Sequence, residues 1–115
     1  MNIARTEIFA SLGNETRLRC LNLAAKYEEV CVCEVVDALK ISQPSASKAL
    51  KVLKSAGIVT DRRDANWVYY RLDESMPEWV ATIMAAVLGE FSRSGAYAAD
   101  ERRFERSRIR EQEVC

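Results

Sequence analysis

Two cysteines one residue apart, Cys31 and Cys33, carry the most specific chemistry in this chain. Soft thiolates select soft acceptors, so a thiol pair at this spacing suits a thiophilic ion such as trivalent arsenic or antimony. Side chains at positions i and i+2 of an α-helix point about 200° apart and cannot both reach one ion. A chelate at this pair therefore requires that the helix begin after Cys31 or be unwound there.

The cysteine pair also fits two simpler roles. Small cysteines pack as buried hydrophobes, and neighbouring thiols can serve as a reversible oxidation site. A helix is predicted to begin beside the pair, and a helix N-terminus favours the thiolate form that binds ions. The pair is therefore interpreted as an ion site, with packing and redox sensing as the alternatives.

The composition excludes most enzyme classes. The 115 residues include no histidine, which removes Ser-His-Asp and Cys-His catalysis as well as histidine metal ligands. No phosphate-binding loop, dinucleotide fingerprint or Cys-x-x-Cys pair is present, so we expect a protein that is not an enzyme. The first residues do not have the pattern of a signal peptide, and no apolar run is long enough to span a bilayer, so neither a secreted nor a membrane protein is expected. A cytoplasmic protein with reduced thiols is expected.

Basic charge is concentrated in one segment of the chain. Residues 40–72 carry seven basic and two acidic residues, a net charge of +5, whereas residues 1–39 and 73–115 carry net charges of −2 and −3. A basic segment inside an acidic chain is typical of an element that binds a polyanion. On charge alone, a solvated charged surface accounts for the segment equally well.

Helical spacing of apolar residues predicts four helices in the first half of the chain. Asn14 and Ser42 are typical N-cap residues, while Gly13 and Gly57 are typical of helix ends. Pro44 lies in a first helical turn, where proline is tolerated. The four predicted helices cover about residues 3–12, 15–25, 33–39 and 43–56.

The pattern then changes from helical to alternating. Residues 58–63 and 67–72 are rich in β-branched and aromatic side chains, and residues 64–66 between them supply a turn, which predicts a β-hairpin. Helical spacing returns from Trp79 to about Phe91. We expect one domain over residues 1–92 and a charged C-terminal tail over residues 93–115, which is either a solvated helix or a frayed end.

Two helices joined by a tight turn at Lys40-Ile41 and followed by a β-hairpin make a winged helix-turn-helix. The predicted fold is therefore mainly α with a β-hairpin wing, and the second of these helices enters the major groove of double-stranded DNA. Glutamine pairs with adenine and lysine with guanine or phosphate, while wing arginines hold the DNA backbone. The predicted DNA-binding residues are Gln43, Ser45, Ser47, Lys48 and Lys51 at the bases, and Lys54, Arg62, Arg63 and Arg71 at the backbone.

Over about residues 5–90 the sequence resembles the ArsR (ArsR/SmtB) family of metalloregulatory repressors, and in particular its arsenic-responsive branch. The resemblance implies a homodimer that occupies operator DNA without a cofactor and is released by a trivalent metalloid. It also implies a dimer interface made by the first and last core helices, here about residues 3–12 and 79–91. The motifs that carry it are Asn14-Glu15-Thr16-Arg17-Leu18, Val30-Cys31-Val32-Cys33-Glu34, Ser42-Gln43-Pro44, residues 50–57 and Trp67-Val68-Tyr69-Tyr70-Arg71-Leu72.

The chain departs from the family pattern at the cysteines. Arsenic-responsive relatives often read Cys-Val-Cys-Asp-Leu-Cys, whereas this chain has Val36 at the third cysteine position. Trivalent arsenic prefers three thiolates, so the third ligand is open between Cys115, a cellular thiol and solvent. Cys20 is predicted to lie in the core. The family's histidine-containing zinc site is excluded, and Lys48-Ala49 replaces a common Arg-His, so operator preference does not transfer from relatives.

Two classes of function follow from these observations. The first is a repressor released by trivalent arsenic or antimony at Cys31 and Cys33. The alternative is a redox-gated or constitutive DNA-binding protein with no metalloid site. Release of DNA by arsenite under fully reducing conditions separates the two.

Overall fold

The computed structural model describes residues 4–114, and the side chains of residues 4–108; Ile3 and Cys115 lie outside these ranges. Within residues 4–114, six helices and three short strands follow one another along the chain. The helices are α1 (Arg5–Leu12), α2 (Glu15–Lys26), α3 (Val32–Leu39), α4 (Gln43–Ser55), α5 (Glu78–Ser94) and α6 (Ala98–Val114), and the strands are β1 (Val30–Cys31), β2 (Val59–Asp64) and β3 (Trp67–Leu72).

The predicted caps set the helix boundaries. The Asn14 side chain accepts a hydrogen bond from the Arg17 backbone N–H at 3.0 Å, and the Ser42 hydroxyl accepts from the Ser45 N–H at 3.2 Å. Each bond satisfies a backbone donor that the first helical turn leaves unpaired. Lys40 ends α3 in the left-handed region with φ 55°, so the chain turns sharply before α4 begins. The winged helix-turn-helix prediction is confirmed.

The sheet has one strand more than the hairpin alone predicts. β3 pairs antiparallel with β2 along its whole length, and its other edge pairs with β1, so the strand order is β1-β3-β2. β1 contains only Val30 and Cys31, which pair with Tyr70 and Tyr69. The segment just before α3 is therefore part of the wing sheet.

The core forms between α2, α3, α4 and the base of the sheet. Its largest fully buried side chains include Leu21 and Leu23 of α2, Val35 of α3, and Leu50 and Leu53 of α4. Cys20 is fully buried among them, which confirms its prediction as a core residue, and burial raises the pKa of its thiol to about 12. This thiol is enclosed by the core and is not exposed to ions in solution.

The C-terminal segment is a helix with one packed face. α6 lies against α3, and Phe104 is fully buried there, stacked on Tyr27 with ring centroids 4.3 Å apart. Of the two predicted states, solvated helix or frayed end, the helix is observed, but it is docked on the domain. Within residues 4–114, none of the helices combines the length and apolar character needed to cross a membrane.

Candidate thiolate site and nucleic-acid interface

The cysteine pair lies where β1 ends and α3 begins. Cys31 has an extended backbone, with φ −83° and ψ 147°, and is the N-cap of α3, so Cys33 is only the second helical residue. The two Sγ atoms are 3.0 Å apart. Two thiolates that each lie about 2.3 Å from one soft ion are separated by at most roughly 4.6 Å. The predicted requirement that Cys31 lie outside the helix is met.

Glu34 holds the backbone of Cys31 in this position. Its carboxylate, which is 8% exposed, accepts a hydrogen bond from the Cys31 N–H at 2.8 Å. Cys31 and Glu34 thus form a capping box, in which the Cys31 sulfur is the reciprocal acceptor for the Glu34 N–H. Cys31 itself is buried and Cys33 is exposed, so an ion reaches the pair from the side of Cys33.

The cysteine pair and the wing share one face of the sheet. Cys31 is the partner of Tyr69, and Tyr69 is the partner of Arg62, so the three residues form a row across β1, β3 and β2. The Arg62 guanidinium lies 4.4 Å from the centre of the Tyr69 ring. It also forms a two-bond fork with the Glu29 carboxylate, at 2.7 Å for both bonds. This fork lowers the pKa of Glu29.

Four of the predicted base-contacting residues lie on one face of α4. This face borders an open groove of about 730 Å³, whose other side is formed by α1 and the start of α2. The buried face of α4 packs on the core through Ala46, Ala49, Leu50 and Leu53. The four residues on the groove are Gln43, Ser47, Lys48 and Lys51.

The remaining predicted contacts lie elsewhere, and several already have partners. The Ser45 hydroxyl accepts from the Ser42 hydroxyl at 2.8 Å, which ties it to the helix cap. Lys54 forms an ion pair with Asp61 of β2 at 3.0 Å, so it links α4 to the wing. Arg63 and Arg71 are exposed on the two strands of the hairpin.

An apolar strip runs along the exposed side of α5. Trp79 is 39% exposed and Ala86 is exposed two turns further along the same side, while Ile83 between them is half-buried and packs partly on the core. Phe9 of α1, also within the predicted dimer interface, is 58% exposed. Large exposed apolar side chains grouped on two helices are typical of a protein interface.

The residues that position the thiols were not foreseen from the sequence. Glu34 stands three residues after Cys31, which is the spacing of a capping box and a signal available in the sequence. Arg108, whose Nε donates to Glu34 Oε2 at 2.7 Å, comes from a helix 74 residues away and gives no local signal. Among the described residues there is no cluster of three or more Cys, Asp and Glu residues arranged to hold a metal ion.

The sequence matches a known family of proteins. Residues 14–61 match the family model described as bacterial regulatory protein, arsR family. Two relatives in Pseudomonas putida, the arsenic resistance transcriptional regulators ArsR1 and ArsR2, are each 44% identical to this chain. The ArsR1 match covers 70% of this chain and 63% of the relative, and the ArsR2 match covers 75% of each.

A solved structure agrees in fold. The homodimeric winged helix-turn-helix domain of Mb0332 from Mycobacterium bovis, described as a possible ArsR-family transcriptional regulator, matches with a TM-score of 0.61 at 34% identity. The match covers 71% of this chain and 72% of that chain. This chain belongs to the arsR family of bacterial regulatory proteins.

Proposed function

We propose that this protein is a transcriptional repressor that binds operator DNA as a homodimer and leaves it when trivalent arsenic or antimony bridges Cys31 and Cys33. The observation that carries the proposal is the 3.0 Å separation of the two Sγ atoms at an N-cap outside the helix. The arsenic-resistance roles named for the two relatives support the choice of ion. The protein needs no cofactor to bind DNA and acts as a regulator, not as an enzyme.

The ion site has two physical connections to the DNA-binding elements. Cys33 lies in α3, which leads through the Lys40 turn into the recognition helix α4. Cys31 lies in the sheet row that contains Tyr69 and Arg62 of the wing. An ion that fixes both sulfurs thus acts on the start of α3 and the edge of the wing together. A small change in geometry there alters the positions of both DNA-contacting elements.

Two local thiolates leave the third coordination position of a trivalent metalloid open. Cys115, which lies outside the described residues, a cellular thiol and solvent are the available sources. We favour a soluble thiol, because it can bind without any rearrangement of α6, which is docked on α3 through Arg108. The complete site in this proposal consists of Cys31, Cys33 and an exchangeable third ligand.

The test is operator binding by the full-length protein in reducing buffer, titrated in parallel with arsenite, antimonite, cadmium and zinc. Arsenite and antimonite should release the DNA at concentrations at which zinc does not. Release by zinc alone, or by none of the four, would contradict the proposal. The operator is obtained by selection from random duplexes.

Redox gating is the second candidate function, and the same 3.0 Å separation favours it. The S–S bond of a disulfide is about 2.05 Å, so a small movement brings the two sulfurs into bonding distance. Formation of that bond removes two electrons and two protons and therefore needs an oxidant, such as a peroxide. DNA release by peroxide, reversed by a dithiol, together with no response to arsenite would select this function.

The apolar strip on α5 leads to a prediction about assembly. We expect sedimentation at micromolar concentration to give about twice the chain mass of 13.0 kDa. Ala86→Glu places a charge at the exposed end of the strip and should yield a monomer that no longer binds a two-half-site operator. Glu90→Gln, on the same helix, is the matched control. A wild-type protein that remains monomeric both free and on DNA would contradict the homodimer.

The Glu29–Arg62 fork leads to a prediction about salt dependence. Glu29 and a DNA phosphate compete for the same guanidinium, so Glu29→Gln should strengthen binding to any duplex a few-fold. Arg62→Ala should weaken binding to all sequences alike and reduce the slope of log K against log salt by about two, one for each protomer. Glu28→Gln is the control. Equal slopes for the Arg62→Ala protein and the wild type would show that Arg62 does not contact DNA.

A further inference from the structure

α6 packs antiparallel to α3 and forms hydrogen bonds with both of its ends. Arg103 of α6 is next to Ala38 near the end of α3, and Arg108, further along α6, is next to Glu34 near its start. α3 is the helix between the cysteine pair and the recognition helix. Residues 98–114 lie outside the segment that matches the family model.

The C-terminal end of α3 is held by two arginines. Arg103 Nε donates to the Ala38 carbonyl at 2.5 Å, and Arg19 Nη2 donates to the Leu39 carbonyl at 3.0 Å. Both guanidinium groups also bind Asp100, which is 3% exposed, with shortest distances of 2.7 Å. Positive charge at the last carbonyls of a helix stabilises that end. The C-terminal end of α3 is therefore fixed in place.

The N-terminal end of α3 is held by the guanidinium of Arg108. This group donates to both Glu34 carboxylate oxygens, at 2.7 and 3.3 Å, and to the Glu29 carbonyl at 2.8 Å. Its charge lies 4.5 Å from the centre of the buried Phe104 ring. Arg108 thus binds residues on both sides of Val30 and Cys31. Through Glu34 it also supports the hydrogen bond that holds the Cys31 N–H.

We propose that α6 holds the thiolate site in the geometry that binds an ion. In this proposal Arg108 is a positioning residue that sets how tightly Cys31 and Cys33 bind a trivalent metalloid. This role of Arg108 rests on the proposed function and concerns how the affinity of the same site is set. The two sulfurs converge only while Cys31 stays extended. Glu34 keeps Cys31 there by accepting its N–H, and Arg108 keeps Glu34 there by neutralising its carboxylate.

Loss of Arg108 removes this arrangement in a predictable way. A buried carboxylate without its cation is unfavourable, so Glu34 turns toward solvent and releases the Cys31 N–H. Cys31 is then free to join α3, and helical geometry would turn the two sulfurs about 200° apart. Partners that orient metal ligands typically contribute about 10- to 100-fold to affinity. We expect a loss of that size without any change in the ligands themselves.

The test uses the full-length protein with Arg108→Gln, and with Arg102→Gln, an exposed position on the same helix, as the matched control. Arsenite affinity is measured without DNA, from the protection of Cys31 and Cys33 against alkylation. Amide hydrogen exchange at Cys31 is measured in parallel, without metalloid. Arg108→Gln should lower arsenite affinity by about 10- to 100-fold and speed exchange at Cys31, whereas Arg102→Gln should change neither.

A conservative variant distinguishes loss of the positioning contact from a general loss of structure. Arg108→Lys keeps the charge but loses the fork, so its arsenite affinity should lie between those of the wild type and Arg108→Gln. If the wild-type protein binds arsenite but Arg108→Gln changes neither arsenite affinity nor exchange at Cys31, the proposed role of Arg108 is overturned and the proposed function is not. A wild-type protein that does not bind arsenite would instead overturn the proposed function.

Discussion

Proteins with Cys31→Ser or Cys33→Ser should bind operator as tightly as the wild type and stay bound when arsenite is added. Each substitution leaves one local thiolate, and a single thiolate cannot form a chelate. Allosteric coupling typically changes affinity by about 5- to 150-fold, and this whole response should be lost. The measurement is fluorescence anisotropy of labelled operator in reducing buffer, with and without arsenite.

Cys20→Ala is the matched control for the cysteine substitutions. The Cys20 thiol is fully buried and its pKa is raised to about 12, so it should contribute to stability and not to sensing. We expect a lower Tm with arsenite release intact. Release by arsenite that survives in either Cys31→Ser or Cys33→Ser would contradict the chelate.

A truncated protein that ends at residue 111 decides the source of the third ligand. It removes Cys115 and leaves the contacts of α6 through Arg108 in place. We expect the truncated protein to respond to arsenite as the full chain does. If it binds operator normally but no longer responds, the third thiolate is Cys115 and the two-cysteine site is incomplete.

Replacing Gln43 and Lys48 together with alanine should abolish recognition of the operator over other DNA. Both side chains lie on the exposed groove face of α4. A good contact to a base contributes about 1–3 kcal/mol of discrimination, and a homodimer makes each contact twice. We expect specific binding to fall to the level of random-sequence DNA. Competition of labelled operator with random duplex measures this ratio directly.

Lys54→Ala is the matched control within the same helix. Lys54 is bonded to Asp61 of the wing, so its removal should weaken specific and random-sequence binding equally and only slightly. A Gln43→Ala/Lys48→Ala protein that retains its operator preference would show that this face of α4 does not read the bases.

Local signals in the sequence were sufficient to predict most of the fold. Asn14, Ser42 and Gly57 mark helix boundaries that the structure reproduces to within one or two residues. The hairpin follows from alternation, although β2 extends to Asp64, which the sequence placed in the turn. These features are predictable because each depends on hydrogen bonds within a few residues of the chain.

Apart from the capping box of Cys31 and Glu34, which has a local signal, the missed features depend on partners distant in sequence. Two residues are too few to give a strand signal in the sequence. β1 is a strand because it pairs with the edge of β3. The docking of α6 depends on one buried aromatic residue, Phe104, in a highly charged segment. For the candidate site, the cysteines and the need for an extended Cys31 were predictable. Arg108 and the Glu29–Arg62 fork were not predictable, because the sequence around a charged residue does not indicate which distant residue it pairs with.

The shortness of β1 has a consequence for how this protein can change over time. Two residues give the ladder few backbone bonds, so backbone pairing alone contributes little to holding this edge of the sheet. Its position is set mainly by side chains from other elements, and single substitutions in those side chains leave the core untouched. Under the proposed function, the concentration of arsenic or antimony that releases the operator can therefore drift under selection while the fold and the operator sequence stay the same.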